Sequence, residues 1–395
     1  MKSLLKISLV ASIVLVSANA QDVNNIDGAF SNGEVSGQIR LGFYQKNPDK
    51  TMEKTQSVTA VGGQLKYETA SLNGFSAGVA MYASQSIGAL SGKQEDGKFS
   101  PYLTSSEKSY TELAEAYINY SIDDFNVRIG RQAIDTPLSD CDDVYMTPNT
   151  FEAVVASYEL KDLGLTFLGA NVQRMQGGDA DYQNVIDNNW KDTGDSSTNM
   201  AALLYLKNDI EASAWYYDIG KEAKAFYVDA SKEFEIFPYH HVTISAQYLN
   251  ENEENDSNFD GSIAGIMLEA NYYSFTTMFA YNDVDLDTGK TIFEGFGGGC
   301  SFTNMETTTA GSLGFDSKSY VVAVGYDISN INIFAAYGDF ESTTDNLGHM
   351  TEVDAGVSYS FNDNSDISFV YVDAEDKLAT NSGADEIKVF ANYNF

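Results

Sequence analysis

The stretch that decides the fold is Glu386-Ile387-Lys388-Val389-Phe390-Ala391-Asn392-Tyr393-Asn394-Phe395, the last ten residues. Ile387, Val389, Ala391, Tyr393 and Phe395 share one face, with Glu386, Lys388, Asn392 and Asn394 on the other. Phe390 is the single breach. Alternation at period two marks a strand with one apolar and one polar face. A terminal strand usually trails off, so a chain that stops on Phe395 implies that this residue closes something.

The same texture extends through the chain. Near the start Val35, Ile39, Leu41 and Phe43 alternate with Ser36, Gln38, Arg40 and Tyr44. Further stripes are Phe75/Ala77/Val79/Met81, Phe125/Val127/Ile129, Val242/Ile244/Ala246/Tyr248, Tyr320/Val322/Val324/Tyr326 and Val353/Ala355/Val357/Tyr359. Short polar turns join alternate strands: Asn73-Gly74, Asp123-Asp124, Asn208-Asp209, Ser329-Asn330 and Asp363-Asn364. Long acidic segments separate the hairpins at 85–110, 175–197, 251–261, 283–316 and 375–384. Short turns at one end and long loops at the other is the asymmetry of an outer-membrane barrel.

A soluble β-sandwich also alternates. Against it, the apolar stripes end in Tyr216, Tyr248, Tyr326, Tyr337, Tyr359 and Tyr393, as an interfacial girdle would. The opposite faces carry Arg, Lys, Glu, Asn and Gln in mid-strand, which suits a water-filled lumen. The expectation is an all-β, transmembrane, antiparallel up-and-down β-barrel of about 18 strands, with short periplasmic turns and long extracellular loops.

Composition narrows the function. The net charge is −34, with 57 acids against 23 bases. Nucleic acid needs basic neutralising side chains and is excluded as a partner. The 25 Tyr and 23 Phe argue against disorder. Met1, Lys2 and Lys6 precede an apolar run from Ile7 to Val16, and Ala18-Asn19-Ala20 follows. This is the layout of a cleaved export signal over 1–20, leaving one barrel domain over 21–395.

Val61-Gly62-Gly63-Gln64-Leu65-Lys66-Tyr67-Glu68-Thr69 resembles an early strand of the Opr-family (OprD-like) bacterial outer-membrane porins. Gly130-Arg131-Gln132, Asp135-Thr136-Pro137 and Thr147-Pro148-Asn149-Thr150-Phe151-Glu152 resemble their fifth strand, inward-folded third loop and return strand. The resemblance is clear between about residues 35 and 160, and in layout it covers the chain. It implies an 18-stranded channel for small hydrophilic solutes, often trimeric, whose third and seventh loops narrow the pore. The third loop would be about 134–150. The better-known members attract carboxylates with an arginine ladder, whereas this chain has only Arg40, Arg128, Arg131 and Arg174.

The third loop instead carries Asp135, Asp140, Asp142 and Asp143. Acids dipped into a pore raise the local cation concentration. The expected lining therefore consists of these four with Arg40, Arg128 and Arg131. Arg131 falls on the outward parity of its strand unless it sits past the membrane edge. A solvated loop without selectivity is the competing reading.

Cys141 and Cys300 lie in the third and seventh loops, and a disulfide and two free thiols are both open. Asp283-Val284-Asp285-Leu286-Asp287, with Glu294 at the twelfth position, is laid out like a calcium loop. Its glycine is one place late and no helices flank it, so water-solvated acids, or divalent bridges to lipopolysaccharide, compete with bound Ca2+. His240-His241 point to opposite faces of a strand and make poor joint metal ligands. No nucleophile–base arrangement suggests an enzyme.

The expected function is a porin for passive diffusion of small hydrophilic solutes or ions, leaning to cations. Its partners would be outer-membrane lipid, lipopolysaccharide and, by resemblance, two further copies. The alternative is a barrel serving as a structural or adhesive surface protein.

Overall fold

The computed structural model describes residues 23–49, 53–106, 108–180, 190–344, 346–378 and 383–395. The export signal over 1–20 lies outside the described residues. Among the described residues, eighteen long strands form one closed antiparallel barrel. The first strand, Glu34–Pro48, pairs with the second, Gln56–Glu68, on one side and with the last, Ala384–Asn394, on the other. Across this seam Arg40 faces Asn392 and Lys46 faces Glu386. Phe395 completes the ladder by exchanging both backbone hydrogen bonds with Gly37, at 3.0 and 3.1 Å. Closure removes the unpaired edge that a bilayer cannot hydrate.

The outward stripes are exposed as the alternation requires, including Ile39, Leu41, Val322, Val324 and the girdle residues Tyr216, Tyr248, Tyr326, Tyr337, Tyr359 and Tyr393. Two-residue turns gather at one end. Asp123, Asn208, Asp209 and Ser329 adopt φ of 50°, 56°, 56° and 55° there. Their short polar side chains tolerate this left-handed region, which matches the twist of a tight hairpin. Two further turns, Pro238-Tyr239 and Tyr273-Ser274, lack that signature. At the other end the connections include 87–108, 133–149, 177–197, 254–260, 287–316 and 377–383. The ninth and tenth strands, Ile210–Ile219 and Ala223–Phe237, are joined there by three residues only.

The interior corrects one expectation. The lumen is not polar throughout: one side is filled. Ile134 and Leu138 of the third loop and Ile292 and Phe293 of the seventh pack with Trp215, Tyr217, Tyr227, Leu249, Ile263 and Val284 from the wall. The strands behind these loops are apolar on both faces, because one face meets lipid and the other meets a folded loop. Each fully buried side chain of this kind contributes about 1.5–3 kcal/mol. The space left beside these loops borders the seam residues Tyr44, Lys46, Glu386 and Lys388.

Phe390, the breach in the terminal alternation, faces inward beside Gly42. A Cβ at Gly42 would lie 2.8 Å from Met146 Sδ, 2.9 Å from Leu103 Cδ1 and 3.0 Å from the Phe390 ring. The missing side chain makes room for the second loop (87–108) and the third loop to reach the wall.

Candidate pore constriction

The third loop begins with a small hairpin in which Asp135 pairs with Asp140 and Thr136 with Ser139. Its tip, Leu138, donates its N–H to the Tyr217 hydroxyl at 3.4 Å. Asp140 N–H donates to Phe296 O at 2.9 Å, and Phe296 N–H to Leu138 O at 3.1 Å, joining the third loop to the seventh. Gly297, at φ 110°, permits this approach, since a Cβ there would lie 2.3 Å from Asp140 O.

Arg40 holds the other half of the loop. Its guanidinium donates to both Asp143 carboxylate oxygens at 2.8 Å, to Tyr145 O at 2.6 Å and to Asn392 Oδ1 at 2.8 Å. It also lies 5.0 Å from the centre of the Phe390 ring. Arginine's planar fork suits this bidentate contact. Beyond it, Tyr44 of the wall stacks on Tyr102 of the second loop at 3.9 Å, and Tyr102 meets Tyr145 of the third at 4.8 Å.

Between these loops and the wall lies a cavity of about 870 Å³. Its charged lining comprises Asp135, Asp140, Asp142, Asp179, Glu306, Asp354 and Glu386 against Lys46 and Lys388. Both lysines are already paired: Lys46 with Glu386 at 3.2 Å, and Lys388 with Glu306 at 2.9 Å. Carboxylates are therefore in excess. Burial pushes the loop carboxyls up, to about 7 for Asp135, about 6 for Asp140 and about 8 for Asp142. Neighbouring acids add to the rise at Asp135 and Asp142. Asp179 is likewise raised by burial, and accepts from Tyr145 Oη at 2.9 Å and Asn149 Nδ2 at 2.7 Å.

Of the residues singled out in the sequence, Asp135, Asp140 and Asp142 come together on this cavity. Arg40 and Asp143 neutralise each other behind it. Arg128 faces inward but stacks 4.3 Å over the Tyr117 ring and is absent from the lining. Arg131 obeys its parity and lies on the outward face. There it interacts with Glu152 at 3.9 Å and covers the Trp190 ring at 4.7 Å, so it is not a pore residue. Glu152 in turn binds Arg174 at 2.6 Å.

Cys141 and Cys300 are free thiols, not a disulfide. The calcium-loop set does not assemble. Asp283 and Asp285 stay in strand register opposite Lys318 and Ser262. Glu294 is half-buried in the seventh loop, where Thr309, Gly311 and Ser301 donate to it. Among the described residues, no group of three His, Cys, Asp or Glu is placed to hold a metal ion. Lys46, Asp179, Glu306, Asp354, Glu386 and Lys388 were not singled out. Alternation already turned Glu386 and Lys388 inward, and Asp354 sits opposite the Val353/Ala355 stripe. Asp179 and Glu306 lie on loops and carried no signal.

No family model and no curated protein matches the sequence. Solved structures do resemble it. OccAB4 of Acinetobacter baumannii aligns with a TM-score of 0.76 at 15% identity, over 95% of this chain and 99% of that one. OpdK of Pseudomonas aeruginosa, solved with vanillate, gives 0.78 at 14% identity over 93% and 100%. A BenF-like porin from Pseudomonas fluorescens Pf-5 gives 0.80 at 12% identity over 93% and 100%. The chain thus has the fold of OprD-type porins.

Proposed function

We propose that this chain is an outer-membrane porin for passive diffusion of small hydrophilic solutes, with a preference for cations. The observation that carries the reading is the cavity between the folded-in loops and the seam, where seven carboxyl groups face two lysines that are both paired. Low-dielectric walls concentrate such a field, and a mobile cation gains where an anion is repelled. The vanillate in the OpdK structure is an aromatic carboxylate. Here the cations that would receive such a group are engaged by Glu386 and Glu306.

The same reading places the protein in a bacterial outer membrane after cleavage behind Ala20. Its loops would lie against lipopolysaccharide, and it would assemble as a homotrimer as the resemblance implies. No step in this function calls for catalysis.

Reconstitution in planar bilayers under a potassium chloride gradient tests the proposal. Stable single channels whose reversal potential has the sign of cation preference are expected. Anion preference overturns the selectivity. Absence of any stable conductance overturns the porin reading in favour of a surface-anchoring barrel.

A further inference from the structure

Three consecutive glycines of the seventh loop, Gly297-Gly298-Gly299, line the cavity between Phe296 and Cys300. Phe296 is fixed to the third loop by its backbone hydrogen bonds with Leu138 and Asp140, and residues 297–300 make no backbone–backbone hydrogen bond among the described residues. Two of the glycines have a local reason. Gly297 sits at φ 110°, which L side chains rarely adopt. A Cβ on Gly299 would stand 2.3 Å from Asn304 Nδ2. Gly298 has neither reason, since its φ lies outside the left-handed region. Apart from its chain neighbours, the three atoms nearest a Cβ at 298 all belong to carboxyl groups. They are Asp140 Oδ2 at 3.0 Å, Asp142 Oδ2 at 3.5 Å and Asp142 Cγ at 3.7 Å.

These two carboxylates are still open to a newcomer. Asp143 is taken by Arg40, and Asp179 by Tyr145 and Asn149. Asp140 Oδ1 accepts from Asp142 N–H at 3.0 Å. Asp140 Oδ2 and both carboxylate oxygens of Asp142 accept no hydrogen bond and enter no ion pair among the described residues. Both residues are partly exposed and both line the cavity. A side chain at 298 would fill the gap on which they converge.

We propose, resting on the cation-preferring reading above, that Gly298 is a determinant of that preference: its missing side chain gives a passing cation access to Asp140 and Asp142 together. Two like charges converging on one gap beside low-dielectric walls deepen the potential there. The seventh loop sets selectivity at this point without a charge of its own, by leaving the charges of the third loop uncovered.

The test measures reversal potentials of the full-length protein in planar bilayers under a potassium chloride gradient at pH 9, above the values to which burial raises both carboxyls. Gly298→Val covers them without adding charge. Holding a potassium ion about 7 Å instead of about 4 Å from two carboxylates at ε near 80 lowers its occupancy about four-fold, and the potassium-to-chloride permeability ratio should fall to match. Gly298→Lys also adds a positive charge and should lower the ratio about twenty-fold. Gly88→Lys places the same charge in the second loop, where a Cβ meets no atom within 4 Å, and should leave the ratio near native. In an Asp140→Asn/Asp142→Asn background, Gly298→Val should have no further effect. An unchanged ratio in Gly298→Val, an equal fall in that background, or a fall in Gly88→Lys matching that in Gly298→Lys overturns the inference while the charge reading stands. Preference for chloride in the unmodified protein overturns the charge reading itself. Should valine prevent folding, as judged by unheated gel mobility, Gly298→Ala decides, with an expected fall of about two-fold.

Discussion

Replacing Arg40 by alanine would release the second half of the third loop. The side chain makes four hydrogen bonds, three of which end on that loop: two on Asp143 and one on Tyr145 O. Hydrogen bonds to a charged group contribute about 1.5–3 kcal/mol each. The Asp143 side chain, however, is 45% exposed against 6% for Arg40, so water recovers much of its share. A net loss of about 2–4 kcal/mol of attachment remains. At about 1.4 kcal/mol per factor of ten, the detached state becomes about thirty- to a thousand-fold more populated. Leu138 on Tyr217 and the backbone bridge to Phe296 still hold the first half. Amide hydrogen exchange should therefore accelerate over residues 143–149 and stay near native over 136–140, while single-channel recordings become noisier. Arg40→Lys keeps the charge but cannot fork onto Asp143 while also reaching Asn392, so it should fall between. Unchanged exchange at 143–149 together with native current noise in Arg40→Ala would refute the clamp.

Four further outcomes follow from the same site. Asp135, Asp140 and Asp142, raised mainly by burial to about 7, 6 and 8, lose their protons as pH rises through roughly 6 to 8. The potassium-to-chloride permeability ratio should climb over that window, and a flat profile counts against these carboxyls facing the pore. Because folded values lie above unfolded ones, their contribution to loop stability is fully present below about pH 4 and disappears as pH passes the folded values. Exchange over 135–142, corrected for intrinsic rates, should be slower at pH 5 than at pH 8.5. Lys388→Met removes a positive charge from the cavity; even at ε near 80 and roughly 7 Å this is about 0.6 kcal/mol, an increase of about three-fold in cation preference, read as a reversal potential. Denaturing alkylation without reductant should label both cysteines, whereas native protein should label slowly, because burial pushes Cys141 up to about 12 and Cys300 well above the usual range.

Much of the barrel is legible because lipid imposes a two-residue period and tight hairpins impose Asp, Asn and Ser at left-handed positions. Tyr239 and Tyr273, at φ of 68° and 53°, broke that second rule and hid two turns. The inward face is less legible, since its composition depends on which loop comes to lie on it. Phe390 reads as an error in the pattern until Leu103 and Met146 are seen packing over Gly42. Parity placed Arg131 outward, and its family motif could not override that. Chain spacing put Glu294 at a calcium position, whereas the seventh loop folds it among Thr309, Gly311 and Ser301. Asp179 and Glu306 reach the cavity through contacts between loops far apart in sequence, and period two carries no information about those.

The seam between the first and last strands also bears on how the channel is made. Arg40 comes from the first strand and Asn392 from the last, and Asn392 Oδ1 accepts from the same guanidinium that secures Asp143 and Tyr145 O. Lys46 and Glu386 meet across the same join. The half of the third loop held by Arg40 therefore depends on the register of the two ends of the sheet. A slip of one residue there would turn Glu386 and Lys388 towards lipid and leave Arg40 without Asn392. Closure of the cylinder in register thus fixes the Arg40 and Lys46 contacts along with the sheet.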